Sequence, residues 1–65
     1  SDWMQGLLAA EDWIRRGVKP SAVPRLATDY YLQEGMPRAW FEGAMDCAGH
    51  YDRLEAASGV HPIER

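Results

Sequence analysis

Three short strings punctuate the chain in the same way: Gly17-Val18-Lys19-Pro20, Gly35-Met36-Pro37 and Gly59-Val60-His61-Pro62. Each is a glycine, an apolar residue, and a proline at once or after one spacer. A glycine just past a helix takes the left-handed conformation that satisfies the last carbonyls, and the proline bars the helix from resuming. The apolar residue between them can fold back onto the last turn. The pattern predicts an all-α fold of three helices, at about residues 2–16, 22–34 and 37–57. They form one domain, residues 1–61, followed by a C-terminal tail, residues 62–65. Ser21 reads as the N-cap of the second helix with Pro24 in its first turn, and Pro37 as the first residue of the third. No segment alternates with period two for long enough to make a strand.

Hydrophobic spacing agrees with three helices. Trp3, Leu7, Ala10 and Ile14 share one stripe; Trp40, Ala44, Cys47, Tyr51 and Leu54 share another. Val23, Leu26 or Ala27, and Tyr30 make a shorter third. Trp3, Leu7, Ile14, Trp40, Ala44, Tyr51 and Leu54 are expected to supply most of the core. A chain of 65 residues supplies little core energy, yet apolar residues also flank the stripes: Met4, Leu8 and Trp13 on the first helix, Phe41, Met45 and Ala48 on the third. One neighbour cannot cover faces this wide, and excess apolar surface is what a partner covers. Met4, Leu8, Trp13, Phe41 and Met45 are therefore the expected protein-binding anchors, with another protein or a second copy of the chain as partner. On this reading Trp13→Ala weakens association and leaves helical content intact.

Trp3-Met4-Gln5-Gly6 is echoed by Trp40-Phe41-Glu42-Gly43, and apolar pairs follow both. Glycine inside a helix costs about 1 kcal/mol relative to alanine. Its expected use is close helix approach, with the glycine groove receiving a large side chain.

Chemistry-bearing constellations are sparse. One cysteine and two histidines exclude a disulfide framework and make no closed zinc site. Cys47 falls on the core stripe and His50 on the polar side, so they do not form a nucleophile–base pair. Glu42, Asp46 and His50 share a face at i, i+4, i+8, with no matching set on another helix to complete a metal site. There is no phosphate loop, nucleophile elbow or CxxC. The expectation is a non-enzymatic regulatory or adaptor module with no cofactor. No apolar run approaches a membrane span and no signal peptide opens the chain, so the expected compartment is the cytoplasm. Small size and the excess of arginine over lysine suggest a bacterial or phage origin.

The net charge of −3 is segregated. Residues 1–12 carry Asp2, Glu11 and Asp12 and no base; residues 13–28 carry Arg15, Arg16, Lys19 and Arg25 and no acid. The basic segment coincides with Gly17, Val18, Ser21, Val23, Arg25 and Leu26, a stretch that resembles the turn and second helix of bacterial helix-turn-helix DNA-binding domains. That resemblance implies buried Val23 and Leu26, with Lys19, Ser21 and Arg25 facing DNA. Arg15, Arg16, Lys19, Ser21 and Arg25 are thus the candidate nucleic-acid-binding residues of the alternative function. Trp13 stands where that family has a small residue, and Pro24 lies on the would-be recognition face. Tyr31, Trp40 and Gly43 are spaced similarly to residues of ribosome modulation factors, whose strongly basic character this chain lacks. Neither resemblance is taken as membership.

Overall fold

Ser1 starts the first helix: its hydroxyl accepts a hydrogen bond from the Met4 amide at 3.2 Å, which satisfies one of the otherwise unpaired first-turn donors. The computed structural model describes residues 1–58. Among them are α1 (Asp2–Arg15), a 3₁₀ turn at Pro20–Ala22, α2 (Val23–Glu34) and α3 (Arg38–Ala57), with no strand. The protein is a small all-α, three-helix domain.

The stop signals work as the sequence predicts. Gly17 and Gly35 both have positive φ, 108° and 66°, a region that L side chains enter only with strain. Beyond them the apolar residue turns back: the Val18 amide donates to the Trp13 carbonyl at 3.0 Å and the Met36 amide to the Tyr31 carbonyl at 3.1 Å. The Gly59 signal and the tail at 62–65 lie outside the described residues.

The start signals differ from expectation. Ser21 does not cap α2; Ala22 holds the cap position, without a side-chain bond. The reason is the 3₁₀ turn, in which the Ala22 amide donates to the Lys19 carbonyl at 2.8 Å. Ser21 is thereby inside a turn and not in the extended geometry an N-cap needs. Pro37 is itself the extended cap of α3 (φ −64°, ψ 150°), so the helix begins one residue later, at Arg38.

Contacts between α1 and α3 advance in the same direction along both helices. Gly6 lies on Trp40, and further along the Tyr51 hydroxyl donates to Glu11 Oε2 at 3.1 Å. The two helices therefore run parallel. The tight Gly35–Pro37 connection sets the end of α2 against the start of α3, with ring centroids 5.3 Å apart for Tyr30–Trp40 and 4.9 Å for Tyr31–Phe41. The Pro20–Ala22 turn that leads into α2 also rests on α3, so α2 folds back along α3 and is antiparallel to it.

The paired glycines fix how closely α1 and α3 approach. A Cβ on Gly6 would collide with the Trp40 carbonyl oxygen and stand 2.6 Å from its carbon. A Cβ on Gly43 would collide with the Trp3 carbonyl oxygen, with the carbon at 2.9 Å and the Leu7 nitrogen at 3.1 Å. The Trp-x-x-Gly repeat thus makes a reciprocal crossing. What each glycine receives is the opposite backbone, not the large side chain expected from sequence. Backbone-to-backbone packing brings Cα–H groups against carbonyls and maximises dispersion contact.

This closeness selects small residues for the interior. The buried hydrophobic residues are Ala10, Val23, Ala27, Trp40, Ala44, Cys47 and Ala48. Two expected core residues are outside it: Trp3 is 37% exposed and Leu54 50%. Trp3 is squeezed to the edge of the crossing, where its indole Nε1–H donates to Asp46 Oδ2 at 3.0 Å. Leu54 lies on the last turns of a 20-residue helix whose 14-residue neighbour has already ended, and residues 52–57 are all exposed. Leu7, Ile14 and Tyr51 pack at the border, half-buried.

Candidate protein-binding groove

Helices α1 and α2 both pack on α3 but touch each other little. An open groove of about 530 Å³ lies between them. Asp2, Gln5, Leu8, Ala9, Asp12 and Trp13 line it from α1, and Tyr30, Met36, Pro37 and Trp40 line it from the α2–α3 side. Its aromatic part is built by Trp13, which meets Trp40 and Tyr30 edge-on at centroid distances of 6.4 and 6.3 Å. These T-shaped contacts place positive ring edges on negative ring faces. They also span the gap between α1 and α2 that the backbones leave open.

The sequence-derived anchors divide in two. Leu8 is 48% exposed and lines the groove; Met4, one turn earlier on the same face of α1, is 44% exposed. Trp13 is half-buried in the groove. Phe41 and Met45 are half-buried and do not line it, and Phe41 stacks on Tyr31. Sequence reasoning missed Tyr30 as a site residue, placing it in the core. It is 45% exposed and forms part of the groove wall. Its position five residues before the Gly35 stop puts it beside the turn into α3, a signal that was available in the sequence.

Arg15, Arg16, Lys19, Ser21 and Arg25 are all exposed. Arg16 Nε pairs with Asp12 Oδ2 at 3.1 Å across one helical turn. Val23 is buried as the helix-turn-helix resemblance implies, whereas Leu26 is 37% exposed. α2 packs mainly on α3 and only slightly on α1, which leaves the face carrying Leu26 partly uncovered.

Titratable groups at the α1–α3 seam are structural in their surroundings. Burial, with the Glu11 charge adding to it, pushes the Cys47 thiol above its ordinary value. The hydrogen bond to Glu11, and then that carboxylate's charge, push the Tyr51 hydroxyl up as well. Cys47 is buried and His50 exposed. Among the described residues no group of three or more His, Cys, Asp or Glu side chains is placed to hold a metal ion. No described helix is long and apolar enough to cross a membrane.

Compared with protein-family models, curated proteins and solved structures, the chain matches none. The groove is therefore read from its own residues alone.

Proposed function

We propose that this chain is a small non-enzymatic protein-binding module, regulatory or adaptor in character, that takes its partner on the open face of α1. The observation that carries this reading is the aromatic groove beside Leu8, which the fold leaves uncovered because α1 and α2 do not close on each other. Exposed Leu8 and Met4 supply apolar area at its edge, and Trp13 and Tyr30 supply the rigid aromatic surface on which binding energy concentrates. The partner is another protein or a second copy.

Sedimentation over a range of concentrations, alone and with candidate partners, tests the reading. Leu8→Asp is expected to abolish association while the helical circular dichroism signal is kept. Association indifferent to Leu8→Asp would refute it. Duplex DNA binding that falls steeply with salt and is lost on replacing Arg15, Arg16, Lys19 and Arg25 would favour the nucleic-acid alternative.

A further inference from the structure

We infer that the occupant of the groove is a cationic amphipathic helix of a partner protein, held by apolar side chains on the aromatic floor and by basic side chains on Asp2 and Asp12. This rests on the protein-binding reading above and names the chemistry of the partner.

The charge of the groove is one-sided. Asp2 and Asp12 line it and no Lys or Arg does. They are ten residues apart on one helix, about 15 Å at 1.5 Å per residue. Between them on α1 lie Gln5, Leu8 and Ala9, with Trp13 next to Asp12, so the acids mark the two ends of a mostly apolar strip. A volume of about 530 Å³ accepts two or three large side chains. The exposed aromatic surface of Tyr30 and the half-buried Trp13 ring favour cationic stems and heads over anionic ones. Asp12 is shared with Arg16 in an exposed pair, which holds it weakly and is readily exchanged for an incoming base.

A second copy does not supply this occupant. Within the helices, α1 and α2 each carry a single base, Arg15 and Arg25, and α3 carries Arg38 and Arg53, fifteen residues apart among four acids. None presents two bases at the spacing of Asp2 and Asp12.

The test uses the chain with two tryptophan-free helical probe peptides of leucine and alanine, one with lysines ten residues apart and the other with glutamates in their place. Tryptophan fluorescence and calorimetry read the binding. The lysine peptide is expected to bind at least about tenfold more tightly than the glutamate peptide at low salt. Asp2→Asn with Asp12→Asn should erase that preference. Asp52→Asn with Glu55→Gln, which removes the same charge at the far end of α3, should keep it. Circular dichroism confirms that each variant stays helical. Equal loss in both double variants would overturn the inference, since only overall charge would then matter. Equal binding of both peptides, abolished by Leu8→Asp, would overturn it while leaving the protein-binding reading intact. Binding of neither peptide, with no association of any kind lost in Leu8→Asp, would overturn both. Self-association lost on replacing Asp2 and Asp12 would make the occupant a second copy and overturn it too.

Discussion

Gly43 lies directly against the Trp3 carbonyl, so closely that the position has no room for a Cβ. The same holds for Gly6 on Trp40, and the two contacts together set the separation of α1 and α3. Helix propensity and packing therefore pull in opposite directions at these positions, and packing prevails.

Glycine-to-alanine changes should accordingly split by position. Gly6→Ala and Gly43→Ala gain about 1 kcal/mol of helix propensity but force two backbones apart. Each is expected to destabilise the fold by about 3 kcal/mol net. At Gly49 a Cβ would meet only the Arg53 guanidinium, at 3.4 Å, so Gly49→Ala should stabilise by up to about 1 kcal/mol. Urea unfolding followed by circular dichroism reads all three. Equal effects at positions 43 and 49 would show that the helices do not touch at the crossing.

Trp13 is woven into the aromatic cluster with Tyr30 and Trp40. Its truncation should therefore cost stability of about 2 kcal/mol as well as binding. This revises the sequence-based expectation that Trp13→Ala spares the folded state. Leu8→Asp, at an exposed site, should change stability by less than about 0.5 kcal/mol, and so separates the two effects.

Tyr51 donates to Glu11, and the bond raises the pKa of the hydroxyl in the folded state. The stabilisation it gives is complete below the ordinary tyrosine pKa of 10.0 and is lost as pH rises from there through the folded value. Unfolding midpoints should fall over that alkaline window, and the Tyr51→Phe variant should lack this part of the decline. An identical pH profile in the two proteins would argue that the bond is not formed in solution.

Cys47 is buried and its thiol is pushed up by that burial. Disulfide reagents act on the thiolate, so labelling of the folded protein at pH 8 should be far slower than labelling in denaturant. Fast labelling of the native chain would place Cys47 at the surface.

Much of the architecture is legible in the residues themselves. Gly17, Gly35 and the prolines after them set where α1 and α2 end, because backbone conformation at glycine and proline is a local property. Hydrophobic spacing picked out Ala10, Ala44 and Cys47 for the same reason. The echo of Trp3–Gly6 in Trp40–Gly43 announced close approach.

What the sequence could not specify was which groups meet. Trp3 and Leu54 lie on the correct stripes and are nonetheless exposed. Once two glycines bring α1 and α3 into backbone contact, the seam between them has room mostly for small side chains such as Ala10, Ala44 and Cys47, and α3 outruns its neighbour. The groove arises in the same way. Its lining comes from three separate parts of the chain, and it stays open because α2 settles on α3. Helical periodicity states which face of a helix is apolar; only the tertiary packing decides which apolar residues find a neighbour and which are left for a partner.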